Sequence, residues 1–130
     1  MAYRFLELEW LLDYELRSSM RYGRAVSLVM VSAINPNADL KELLRPILRE
    51  SDELFETGDD ATILMGHTDC DEALAAIRRY KGDPNLEMGL CFAVASFPDD
   101  GRTVQELLTS VRRRLSKAVT LGRGVVVATG

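Results

Sequence analysis

The sequence has few of the residues that mark a chemical site. It contains one histidine, His67, and two cysteines, Cys70 and Cys91. Their spacing matches neither a metal site nor a disulfide framework, so two buried reduced thiols and a cytosolic setting are expected. No run of 18 apolar residues and no signal-peptide pattern occurs, so nothing supports a membrane span or secretion. The expected compartment is the cytoplasm, for the chain alone or as part of a membrane-attached protein. Positive charge is also in deficit: 16 Lys and Arg stand against 20 Asp and Glu, a net charge of −4. General nucleic-acid binding depends on neutralising phosphates, so this balance argues against it. No internal repeat or low-complexity linker is seen.

What remains is the composition of a globular protein, 47% hydrophobic and 28% charged. A chain of this size builds a core without staples, and a single domain over 1–130 is expected. The spacing predicts a first helix from Tyr3 to Tyr22, with Phe5, Leu6, Leu8, Trp10, Leu11, Leu12, Leu16 and Met20 at helical intervals. Gly23 stops it. Ala25 to Ile34 is a nearly continuous apolar run and reads as a buried strand, broken by Asn35-Pro36-Asn37. Asp39 to Glu50 reads as a second helix, with Asn37 or Asp39 as its N-cap.

Two short strands follow, Glu53 to Glu56 and Thr62 to Met65, joined by a turn at Gly58-Asp59-Asp60, the pattern of a β-hairpin. A third helix starts at Asp69 or Asp71 and stops near Gly82-Asp83-Pro84. Leu86 to Ser96 reads as a strand, Thr103 to Leu121 as the last long helix with Val119 among its inward residues, and Val125 to Ala128 as a final strand. The order α-β-α-β-β-α-β-α-β, with a hairpin at its centre, rules out a wholly parallel sheet. An α/β (α+β) fold is expected: a ferredoxin-like or palm-type sheet, mixed or antiparallel, of about five strands flanked by helices.

The hairpin is preceded by Arg49-x-x-Asp52, and the combination resembles the GGDEF domain family, the diguanylate cyclases and their inactive relatives. In that family a Gly-Gly-Asp/Glu-Glu-Phe turn follows an Arg-x-x-Asp motif at a fixed interval. Here the turn falls on Gly58-Asp59-Asp60-Ala61-Thr62, or on Thr57-Gly58-Asp59-Asp60-Ala61 with a one-residue shift. The likeness runs from about Leu11 to Val126. It includes Arg21-Tyr22-Gly23-Arg24 before the first strand, the loop Ser96-Phe97-Pro98-Asp99-Asp100-Gly101, Leu107-Leu108, and Ala118 to Arg123.

The resemblance implies a fold and also shows departures. Active members join two GTP molecules into cyclic di-GMP with divalent metal assistance, which needs carboxylates at the metal and donors around the phosphates. The family's metal aspartate at the end of the first strand matches Ser32, its catalytic acid matches Ala61 in the gapless register, and its phosphate-contacting lysine matches Val119. Only 20 residues separate Ser32 from Asp52, so the guanine-binding helix of the family is expected to be missing. Asp59 and Asp60 read as a solvated acidic turn. No enzyme activity, metal or cofactor is therefore expected.

The resemblance implies a different role for Arg49 and Asp52, whose family counterparts bind cyclic di-GMP, often as an intercalated dimer. An arginine fork bonds phosphate or the Hoogsteen edge of guanine, and an aspartate accepts from guanine N1 and N2. Arg78 or Arg79 stands at a fitting distance downstream to complete the pocket. The expected function is a receptor passing cyclic di-GMP occupancy to a protein partner, an attached signalling domain or a second copy in a homodimer. The alternative is a protein-interaction scaffold without nucleotide binding, in which Arg49 and Asp52 form only a weak local pair at a helix end. His67 has no partner in a recognisable motif and reads as structural or solvent-facing. Arg112-Arg113-Arg114 with Lys117 reads as a solvated helix face, with a partner or phosphate contact as the other option. Trp10, with Phe5 and Leu6, reads as core; if its helix continues beyond the domain, it would serve dimerisation or carry a signal.

Overall fold

A computed structural model describes residues 5–34, 38–84, 86 and 89–130, with side chains from Glu7 onward. Helix α1 (Phe5–Tyr22) leads to strand β1 (Val26–Ser32), then α2 (Leu40–Leu44) with a short 3-10 turn (Arg45–Ile47). The hairpin β2 (Asp52–Thr57) and β3 (Asp60–Gly66) follows, then α3 (Cys70–Lys81), β4 (Cys91–Phe97), α4 (Val104–Leu121) and β5 (Val126–Val127). This is the expected order of elements. The expected helix start at Tyr3, the break at Asn35-Pro36-Asn37 and the N-cap option Asn37 lie outside the described residues.

The five strands form one mixed sheet in the order β2-β3-β1-β4-β5. β1 is flanked on both sides by antiparallel partners, β3 and β4, while β4 and β5 run parallel. Alternation along the strands divides the core between two faces. Val26, Leu28 and Met30 of β1 and Ala93, Ala95 and Phe97 of β4 pack with Leu8, Leu12 and Leu16 of α1 and Leu107, Leu108, Val111 and Leu115 of α4. Val29 and Val31 of β1, with Ile63, Met65, Phe92 and Val94, meet Leu44 of α2 and Ala73, Ile77 and Tyr80 of α3 on the other face.

Several expectations need correction. The second helix is not one run from Asp39 to Glu50. Asp39 caps it as expected, accepting from the Glu42 backbone at 3.2 Å, but the α-helix ends at Leu44. Pro46 has no N–H to bond four residues back and crowds the preceding turn, so the chain tightens into the 3-10 turn and becomes extended at Leu48. The strand expected from Leu86 starts only at Cys91. Gly89 turns the chain before it with φ 98°, and 87–88 lie outside the described residues. Trp10, expected in the core, is 69% exposed. Leu8, Leu12 and Leu16 recur every four residues and face inward, and Trp10, two residues after Leu8, points to the opposite side. Met20 and Val119 are likewise exposed.

Candidate functional site

Polar groups converge at the hairpin turn and at the entrance to β2. At the turn, Thr57 pairs with Asp60, leaving Gly58-Asp59 as the two linking residues. Gly58 has φ 75°, which glycine adopts without the clash that a Cβ would meet. Val31 of β1 lies opposite Ala61 of β3, so one step on, Ser32 meets Asp60, and its hydroxyl hydrogen-bonds the carboxylate. Burial pushes the Asp60 carboxyl above its usual range; the Ser32 hydroxyl opposes this and the charge of Asp59 adds to it.

A cavity of about 540 Å³ opens between this turn, the end of β1 and the start of α2. Among the described residues lining it, Lys41 is the one cation, while Asp39, Glu56, Asp59 and Asp60 are acidic. Lys41 lies 3.9 Å from Glu56, and Asp39 is engaged in capping. The field inside is unfavourable to a polyphosphate. On the other side of Asp60, Arg112 and Ser116 of α4 line a second cavity with Met30 and Thr57.

At the entrance to β2, the Arg49 backbone N–H donates to the Asp52 carboxylate at 3.0 Å, and the Asp52 N–H donates to the Arg49 carbonyl at 3.0 Å. These two bonds close a tight turn and fix the Asp52 side chain at the first residue of the strand. Because the chain is already extended at Leu48, Arg49 follows a 3-10 turn and does not sit on the last turn of an α-helix. Burial raises the Asp52 pKa above its ordinary value, opposed by the Arg49 N–H and by the positive charges of Arg49 and Arg79. Arg79, from the last turn of α3, places its guanidinium 5.5 Å from the centre of the Tyr80 ring. Tyr80 is fully buried, its hydroxyl has no hydrogen-bond partner among the described residues, and burial, together with the charge of Asp52, pushes it up to about 12. Arg78 and Arg79 are both exposed on α3, and it is Arg79, with Arg49, whose charge acts on Asp52.

The arginine run on α4 divides three ways. Arg112 lines the second cavity, and Arg113 donates to the Gly130 carbonyl at 2.9 Å. Arg114, expected on a solvated face, is buried, donating to the Val94 carbonyl at 2.8 Å and to Asp100 at 2.9 Å. The sequence held the signal: Leu107, Val111, Arg114 and Ala118 share one helical stripe, which placed a charge on the inward face. His67 is exposed and bonds Arg24 at 2.9 Å.

No protein-family model matches the chain, and no curated protein matches it in sequence. Solved structures do. The GGDEF domain of YfiN (TpbB) from Pseudomonas aeruginosa superposes with a TM-score of 0.87 at 15% identity, over 99% of this chain and 91% of that one. The active GGEEF domain of a diguanylate cyclase from Vibrio cholerae gives 0.81 at 14% identity, over 98% and 96%. The diguanylate cyclase SiaD from Pseudomonas aeruginosa, solved in complex with its activator SiaC, gives 0.77 at 16% identity, over 97% of this chain and 58% of SiaD. At such identities the likeness speaks for architecture alone, and the architecture of this chain is the GGDEF-domain fold.

Proposed function

We propose that this chain is a non-catalytic GGDEF-fold domain that serves as a cyclic di-GMP receptor through Arg49, Asp52 and Arg79. The observation that carries this reading is the turn at 49–52. It holds a carboxylate by its own backbone, with one guanidinium contributed by the turn and one by α3. That set suits a ligand offering guanine N–H donors and phosphate oxygens together. Arg78 is the alternative third member.

The reading as a non-enzyme rests on the hairpin. Phosphoryl chemistry with a divalent metal needs several carboxylate ligands and donors for the phosphates. At the positions that the resemblance gives to the metal and the catalytic acid stand a serine hydroxyl at Ser32 and a methyl at Ala61; of the carboxylates lining that cavity, Asp39 caps α2 and Glu56 lies 3.9 Å from Lys41, which leaves Asp59 and Asp60 at the turn. Among the described residues no group of three or more His, Cys, Asp or Glu side chains gathers. These donors do not fit a metal-assisted phosphoryl transfer.

The acidic cavity favours a second reading, a protein-interaction scaffold without nucleotide binding; SiaD, of the same fold, is found with a protein activator. Calorimetric titration with cyclic di-GMP on the parent chain and on Arg49→Ala, with GTP as control, separates the two. Binding that Arg49→Ala abolishes supports the receptor, and two ligands per chain would indicate the intercalated dimer. Absence of heat at roughly tens of micromolar protein rules the receptor out and leaves the scaffold.

A further inference from the structure

At the end of the sheet where β1 begins, a cavity of about 350 Å³ lies between the last turn of α1, the start of β1 and the loop after β4. Arg24 and Arg102 line it, Met20, Phe97 and Pro98 give it an apolar wall, and none of the described lining residues is acidic. In a chain of net charge −4 this is a local reversal of sign. Gly23, with φ 66°, turns the chain after α1, and the Arg24 N–H donates to the Ser19 carbonyl at 3.0 Å, which satisfies that carbonyl. The Arg24 guanidinium lies 5.5 Å from the centre of the Tyr22 ring, and its Nη1 donates to His67 Nε2 at 2.9 Å. The rest of that fork is left for another acceptor. Arg102 spends its backbone N–H on Glu106 at 3.0 Å, and its guanidinium has no partner among the described residues. Ser19, also in the wall, is 2% exposed, and its hydroxyl has no hydrogen-bond partner among the described residues. A buried hydroxyl left unpaired carries a desolvation cost, which a ligand group arriving at that wall relieves.

We propose that this cavity binds the dianionic phosphate of a small phosphate monoester, with Arg24 and Arg102 on its oxygens, the Ser19 hydroxyl as a further donor, and the body of the ester against Met20, Phe97 and Pro98. Guanidinium forks match phosphate geometry and give charge-assisted bonds. Tyr22 and His67 hold the Arg24 fork in place beforehand, so less freedom is lost on binding. A carboxylate offers one charge and two oxygens, which two forks and a hydroxyl underuse. The apolar wall favours an ester over inorganic phosphate, since only the ester has a body to bury there. The site is separate from the other polar regions of the fold. β1 runs from Val26 at this cavity to Ser32 at the acidic one, about 20 Å of strand. Asp52 opens β2, and β3 lies between β2 and β1. The inference therefore stands whether or not cyclic di-GMP binds at Arg49.

The test is a backbone-amide NMR titration of the full chain with phenyl phosphate and, separately, with inorganic phosphate. Ionic strength is held constant at about pH 8, where both probes are dianionic. Phenyl phosphate is expected to shift the amides of Gly23, Arg24, Ala25 and Arg102 saturably, with Kd on the order of 0.1–1 mM. Inorganic phosphate shifts the same amides with an affinity about threefold or more weaker, for want of an apolar body. Arg24→Ala and Arg102→Ala each weaken phenyl phosphate about tenfold or more. Both positions are exposed, and the dispersion of the amide spectra confirms that the variants fold. Ser19→Ala weakens binding about threefold without lowering the urea midpoint, which separates a ligand donor from a structural hydroxyl. Arg49→Ala leaves the titration unchanged. Absence of saturable shifts up to roughly 10 mM phenyl phosphate overturns the proposal, as does binding that survives Arg24→Ala combined with Arg102→Ala or is abolished by Arg49→Ala. Equal affinity for the two probes makes inorganic phosphate the ligand and overturns the ester.

Discussion

Replacing Arg114 tests the internal polar scaffold. Its guanidinium bonds the Val94 carbonyl at 2.8 Å and Asp100 at 2.9 Å, and the two paired side chains are only 7% and 17% exposed. Asp100 also accepts from the Ser96 N–H at 2.8 Å, and its carbonyl accepts from the Ser110 hydroxyl at 3.1 Å. The pair thus ties α4 to the end of β4. Arg114→Met keeps the apolar stem and deletes both bonds, stranding a half-buried carboxylate. Breaking such a pair costs about 3–5 kcal/mol, reduced here because the Arg114 Nε already lacks a partner among the described residues. A net loss of about 3 kcal/mol is expected. With a urea m-value of about 1.5 kcal/mol/M, the midpoint falls by about 2 M. Adding Asp100→Asn removes the stranded charge and recovers about 1–2 kcal/mol. Acid titration gives an independent check. Burial alone would raise the Asp100 pKa, but the Arg114 hydrogen bond, the Ser96 N–H and the Arg114 charge outweigh it and hold it below 3.8. Its contribution is therefore complete above pH 3.8 and is lost as pH falls through the lowered value, a loss that Arg114→Met removes. A midpoint shift for Arg114→Met of less than about 0.3 M would refute the reasoning.

Four further outcomes follow from the same geometry. Arg79→Ala weakens cyclic di-GMP binding by about tenfold or more, whereas Arg78→Ala leaves the titration nearly unchanged. Acidification weakens that binding as Asp52 protonates, starting at a pH above the ordinary carboxylate range because its pKa is raised; the same shift means that this group's unfavourable effect on stability at neutral pH is relieved as pH falls through the raised value. Tyr80→Phe removes a buried hydroxyl without a partner and leaves the denaturation midpoint unchanged or higher by about 1 kcal/mol of stability, so a clear loss would reveal a bond to that hydroxyl. Asp69→Ala dismantles the capping box with Glu72 at the start of α3 and lowers stability by about 1–2 kcal/mol in urea denaturation.

The order of elements was legible because apolar periodicity and turn residues are local signals. Gly58 and Asp60 placed the hairpin, Asp39 and Asp69 placed two caps, and the order alone required a mixed or antiparallel sheet. Errors came where one residue overruled a periodic run. Pro46 cut an apparently continuous helix, and Gly89 delayed a strand. Trp10 reads as core by its hydrophobicity, although its angular position around α1 sets it opposite the leucines. At the candidate site, the motif drew attention to Arg49 and Asp52, but spacing gave no choice between Arg78 and Arg79. The backbone bond from Arg49 to the Asp52 carboxylate depends on Pro46 ending the helix early. The Ser32–Asp60 contact depends on the register between β1 and β3, which is set across the intervening α2 and β2 and leaves no mark in the sequence.

The position of β1 between β3 and β4 also has a kinetic consequence. The β2–β3 pairing closes across two residues, whereas pairing Val26 with Phe97 joins positions 71 apart in the sequence. Loop-closure entropy makes the second step the costly one, so the rate at which this chain folds is set by bringing β4 to β1. Conservative truncations at Val29 or Val94 should then slow refolding, while truncations at Leu54 in the hairpin mainly hasten unfolding. Equal effects of both sets on the refolding rate would place the barrier elsewhere.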